Sequence, residues 1–137
     1  MSEKLFALLV HDHPEPFASL KQTLEDLSVG SYSVKTCKEA GDLISYCKPP
    51  IIFTESAVAD GSWASVLNTA EEAEVPLNVI VVAAQPDPQL YMCVMEHGAY
   101  DFVAPPFEHE SLNRVVQSAA EDTHRRREAL AQVPFGW

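Results

Sequence analysis

The residues with the most chemical potential in this chain lie in two short stretches. "LLVHDHPEP" carries His11, Asp12 and His13, and "IIFTES" carries Glu55 and Ser56. In both, polar groups follow directly on an unbroken apolar run, the pattern of a buried strand that surfaces at its carboxyl end. Carboxylates at such a place suit hard cations such as Mg²⁺ or proton transfer, and imidazoles suit transition metals or acid–base work. A His-x-His pair at a strand exit can chelate, because alternate residues share a side. With Asp12 and Glu55 as candidate further ligands, one reading is a metal-dependent enzyme built on the first-loop histidines. The plainer reading is that loop histidines are solvated. Ser56 lacks the glycine-flanked elbow of a nucleophilic serine, and no glycine-rich cradle for phosphate is present. His97, His109 and His124 fall in helical segments and are expected to face water.

The elements that must position these residues follow from two alternating periodicities. Leu5 to Val10, Ile51 to Glu55 and Val79 to Ala84 are short apolar runs. "YSVKTC" and "AYDFVA" complete five strands. Between them, apolar residues recur at helical spacing: Phe17, Leu20, Leu24 and Leu27; Ala40, Leu43, Ile44 and Cys47; Trp63, Val66, Leu67 and Ala70; Leu90, Cys93 and Val94; Leu112, Val115, Val116, Ala119 and Ala120. Prolines after the first strand are tolerated in the first turn of a helix, and Gly98 reads as a helix C-cap. Strand–helix alternation with short loops predicts an α/β fold. It would be an open five-stranded parallel sheet in order 2-1-3-4-5 with helices on both faces, flavodoxin-like, because crossovers are right-handed. In such sheets, sites form where the carboxyl ends of the strands converge. Those ends carry His11-Asp12-His13, Glu55-Ser56, Ala83-Ala84 and Ala104-Pro105-Pro106-Phe107.

Composition bounds the function. A chain of 137 residues, 47% hydrophobic, fits one domain with a proper core. A formal net charge of −11 argues against nucleic acid and anionic membrane surfaces as partners. Cys37, Cys47 and Cys93 have no metal-like spacing and read as reduced, buried thiols of a cytoplasmic protein. No apolar run approaches membrane-spanning length. Residues 1–124 read as the body, and 125–137 as a helical extension and tail. Its three arginines, Arg125 to Arg127, are expected to be a solvated helix end.

Three stretches resemble the receiver domains of two-component response regulators. "LLVHDHPEP" resembles their acidic first loop. "FTESAVADGSW" resembles their third strand and the loop after it. "VIVVAAQPDP…MEHGAYDFVAPPF" resembles their fourth and fifth strands and closing Pro-Phe. The resemblance covers roughly residues 5 to 122. It implies phosphoryl transfer to an aspartate at the end of the third strand. Mg²⁺ would be held by that residue and a first-loop acid. A hydroxyl after the fourth strand and a lysine after the fifth would bind the phosphoryl oxygens.

The sequence departs from this pattern at nearly every such place. Glu55 stands at the phospho-acceptor position with a carboxylate one methylene too far out, and ångström misplacement costs on the order of 100-fold in rate. His11 replaces the first acid of the pair and leaves Asp12. Ala83 takes the hydroxyl position and Pro105 the lysine position. Phosphoryl transfer is therefore expected to be absent, as is firm Mg²⁺ binding. No cofactor and no enzymatic activity are expected.

Three readings of Glu55 compete: a vestigial strand-end residue, a built-in mimic of the phosphoryl charge, and a metal ligand with Asp12. The resemblance further implies a cis bond before Pro106, an inward Phe102, and a contact face on helix four, strand five and helix five. Tyr91, Met92, Met95 and Phe102 would lie on that face. The expected function is a phosphorylation-independent interaction module for a signalling protein, such as a histidine kinase or an output domain, with homodimerisation through the same face as an option. The alternative is an atypical receiver phosphorylated on Ser56 or Asp60.

Overall fold

The computed structural model describes residues 5–131. Five strands, β1 (Phe6–Val10), β2 (Gly30–Val34), β3 (Ile51–Glu55), β6 (Asn78–Val82) and β7 (Asp101–Val103), form one parallel sheet in order β2-β1-β3-β6-β7. A two-stranded antiparallel hairpin, β4 (Ala57–Val58) with β5 (Gly61–Ser62), interrupts the numbering, so the sheet order is the expected 2-1-3-4-5. The helices are α1 (Phe17–Asp26), α2 (Cys37–Cys47), α3 (Trp63–Glu71), α4 (Pro88–Glu96) and α5 (His109–Ala131).

The three central strands are buried on both faces, which explains their continuous apolar character. Ala7, Leu9, Ile51, Phe53, Ile80 and Val82 pack against α1 and α5. The intervening Leu8, Val10, Ile52, Val79 and Val81 pack against α2, α3 and α4. Alternation within each strand thus feeds two cores. Shifting one strand by a residue would exchange the two sets, and this fixes the register.

Local signals set the helix ends. The Thr36 hydroxyl accepts from Glu39 N, Ser62 and Ser65 form a reciprocal capping box, and the Asp87 carboxylate accepts from Leu90 N just before Pro88. Gly98 follows α4 with φ of 100°, a left-handed value that a Cβ would strain.

Several expectations need correction. The second strand is Gly30–Val34 rather than "YSVKTC", because Thr36 and Cys37 are claimed by the start of α2. Cys47 and Cys93 are exposed and Cys37 is half-buried, so the thiols are not core residues. On α4 the buried contact is Val94; Cys93 and Met95 sit one step to either side of it, and it is Met95 that packs on the core. Of the three arginines only Arg125 stays a solvated helix residue, 73% exposed. α5 continues unbroken past residue 124, and Arg126 and Arg127 turn back onto the sheet. Trp137 and the rest of the tail from residue 132 lie outside the described residues.

Candidate functional site

At the carboxyl ends of the central strands, where open α/β sheets form their cleft, the chain places a nearly buried carboxylate. β3 runs buried through Ile51, Ile52, Phe53 and Thr54 and delivers Glu55, whose side chain is only 13% exposed. A carboxylate so nearly buried requires hydrogen-bond donors. The loop after β1 supplies both. Asp12 N donates to Glu55 Oε1 at 2.9 Å, and His13 Nδ1 donates to Glu55 Oε2 at 2.9 Å. Because a carboxylate only accepts, the His13 proton facing it is on Nδ1.

The neighbouring histidine shapes this loop. The His11 ring stacks on Phe17, centroids 4.3 Å apart and 7° from parallel. With the proton on Nδ1, His11 donates to His13 O at 2.8 Å, and its Nε2 lies 3.1 Å from the Ser33 hydroxyl on β2. His11 therefore braces the backbone that carries His13 and does not turn to Glu55. The structure thus brings His13 and the Asp12 main chain to Glu55. In the sequence His13 reads as half of a chelating pair with Glu55 as a candidate further ligand, not as the donor that holds the carboxylate. Its partner is 42 positions away, so no local signal could assign it.

The rest of the rim is apolar. Ala83 is buried and its N donates to Val103 O at 3.0 Å. Pro105 follows, joined to Pro106 by a cis bond. Phe102 is half-buried, and its ring meets Tyr91 edge-on with centroids 5.9 Å apart. These two rings line an open depression of about 460 Å³ with Pro86, Asp87, Pro88 and Ala104. Of the proposed contact residues, Tyr91 and Met92 are exposed, at 46% and 61%.

Asp60 is committed elsewhere. Its carboxylate accepts from Cys37 N at 2.7 Å and Lys38 N at 3.1 Å, capping α2 from the hairpin. The bond from Cys37, helped by that from Lys38, holds the Asp60 carboxyl below the usual range. Burial, with Asp60 close by, pushes the Cys37 thiol up. In the sequence Asp60 reads as a turn residue or, in the alternative, as a phosphate acceptor. Its reach to α2 appears in the fold.

The donor set at Glu55 does not fit Mg²⁺. Such a cation seeks oxygen ligands, whereas both Glu55 oxygens face N–H groups and an imidazole occupies the first acid position. Among the described residues no group of three His, Cys, Asp or Glu side chains is arranged to hold a metal.

Comparison with known proteins agrees with the architecture. No family model matches the chain. It is 29% identical over 117 residues to the C4-dicarboxylate transport transcriptional regulatory protein DctD of Pseudomonas aeruginosa, a match covering 83% of this chain and 25% of that protein. It is 27% identical over 128 residues to the nitrogen assimilation regulatory protein NtrX of Azorhizobium caulinodans, covering 88% of this chain and 27% of that one. A crystal structure of a signal receiver domain from Vibrio parahaemolyticus superposes with a TM-score of 0.78 at 24% identity, covering 96% of this chain and 100% of that chain. The chain thus has the fold of signal receiver domains and is similar in sequence, at under 30% identity, to these regulatory proteins.

The chain spans about a quarter of the length of these curated relatives. Because DctD is a transcriptional regulatory protein by name, the expectation that nucleic acid plays no part is not supported. The charge argument concerns this chain alone. Among the described residues no helix is long and apolar enough to cross a membrane.

Proposed function

We propose that this chain is a receiver-type signalling domain that works without phosphoryl transfer. In this reading it acts by protein contact, with Glu55 as a fixed anchor for the first loop. The observation that carries the reading is the engagement of both Glu55 oxygens by Asp12 N and His13 Nδ1. Phosphoryl transfer needs an in-line acceptor oxygen and cations around the equatorial oxygens. Here the acceptor is a glutamate already hydrogen-bonded, with Pro105 and Ala83 in the positions the family gives to lysine and hydroxyl. Contact through α4, β7 and α5 is favoured by the exposed Tyr91 and Met92 beside the Phe102 depression. The partner class is a signalling protein, either a histidine kinase or an output domain.

The direct test is intact-mass measurement after incubation with a small-molecule phosphoryl donor and Mg²⁺. The expected result is no added phosphoryl group. A gain mapped to Ser56 or Asp60 would establish the atypical receiver instead. Asp60 is disfavoured because both its oxygens cap α2.

A further inference from the structure

The misfit between Glu55 and a hard cation has an identifiable cause in one side chain. We propose that His13 is a positioning residue that latches the first loop onto Glu55 and thereby closes the cleft to divalent cations. This rests on the reading of the chain as a receiver without phosphoryl chemistry, and it names the contact that keeps the cleft shut. The argument starts from desolvation. Glu55, 13% exposed, needs donors. Pro105, after β7 and two strands away from β3, can offer neither a cation nor an N–H. Among the described residues the only charged or ionisable side chain that reaches Glu55 is that of His13, at 2.9 Å.

The latch is braced as well as formed. His11 stacks on Phe17, bonds to His13 O and reaches Ser33, so the His13 backbone is held while its ring, 69% exposed, turns inward only at Nδ1. The imidazole therefore contributes little to the core and much to where the Glu55 oxygens point. Without it, Glu55 Oε2 would be free directly beside Asp12, whose main chain already touches Oε1. One or two carboxylates completed by waters is a donor set that a hard divalent ion accepts. The latch thus occupies the Glu55 oxygen that a hard divalent ion would need.

The experiment uses the whole chain and aqueous Mn²⁺, read by paramagnetic broadening of the Asp12 and Glu55 amide resonances. The wild type should show no selective broadening. His13→Ala should bind Mn²⁺ at these amides at least about tenfold more tightly, the scale on which hydrogen-bond partners of a ligand tune metal affinity. His13→Asn, which keeps an N–H donor near the Nδ1 position, should return to wild-type behaviour. Glu55→Gln on the His13→Ala background should abolish the broadening. His13→Ser provides a second removal should the alanine variant fold poorly. The latch is overturned if neither removal binds Mn²⁺ more tightly than the wild type, if His13→Asn behaves like His13→Ala, or if the wild type itself binds. Failure of the functional reading is scored separately by phosphoryl mass gain in the wild type, a result that leaves the Mn²⁺ comparison readable.

Discussion

The two ends of the sheet use polar chemistry in opposite ways. At the amino ends of β3 and β6, side chains of α5 lock onto main-chain carbonyls. Arg127 donates to Pro76 O at 2.7 Å and Lys48 O at 3.1 Å, and Thr123 to Pro50 O at 2.9 Å. Arg126 donates to Asn78 Oδ1 at 2.6 Å and Asp122 Oδ2 at 2.9 Å, while buried Asn78 donates to Ala119 O and Asp122 Oδ2. At the carboxyl ends, by contrast, the polar groups gather on one carboxylate and come from an exposed loop. The first end is a multiply bonded joint between helix and sheet, with buried Asn78 and Thr123 among its members. The second is a single anchored charge whose partners are wet on their outer side. Removing a group from the joint strands buried donors and acceptors, whereas water replaces what is lost at the cleft. Stability should therefore be concentrated at one end, and changes in ligand behaviour at the other.

Four substitutions sharpen or break that contrast, in decreasing order of effect. Asn78→Ala strands the Arg126 donor and the Ala119 carbonyl, and should cost about 2–3 kcal/mol in urea unfolding. A loss below about 0.5 kcal/mol would show that the joint is not cooperative. Arg127→Met keeps the aliphatic stem but frees three carbonyls that water reaches in part, for about 1–2 kcal/mol in the same assay.

Asp122 makes the joint sensitive to acid. The bond from Asn78, then the charges and hydrogen bonds of Arg126 and Arg125, hold its carboxyl below the usual range. A carboxyl depressed in the folded state adds stability above its unfolded pKa, and that stability is lost as pH falls through the folded value. Acid unfolding of Asp122→Asn should accordingly be flatter than that of the wild type. Parallel acid limbs for the two proteins would remove Asp122 from the account. Glu55→Gln should change stability least, by under about 1 kcal/mol, because the amide oxygen still accepts from Asp12 N and the His13 partner is largely in water. A larger loss would mean that the cleft is part of the structural joint after all.

Much of this was legible in the residues. Apolar runs bounded by turns placed β1, β3 and β6, because strands covered on both faces show no alternation to confuse with anything else. Gly98 marked the end of α4 through its φ preference, whereas the Asp87 cap at its start emerged only from the fold. β2 was read two residues late, since "YSVKTC" has strand propensity throughout and only the Thr36 cap ends it. Glu55 as the central residue of the cleft followed from its place at a strand end. Which groups would meet it did not.

What the sequence determined by itself was the order of elements, the two-sided core and the absence of a lysine at Pro105 and a hydroxyl at Ala83, because periodicity and residue type are local properties. Only the tertiary structure decided that His13 holds Glu55, that Asp60 caps α2 and that Arg126 and Arg127 clamp α5 to the sheet. Each of these joins residues between 22 and 79 positions apart. A hydrogen bond depends on distance and angle, and those exist only once the strands have fixed which loops lie side by side.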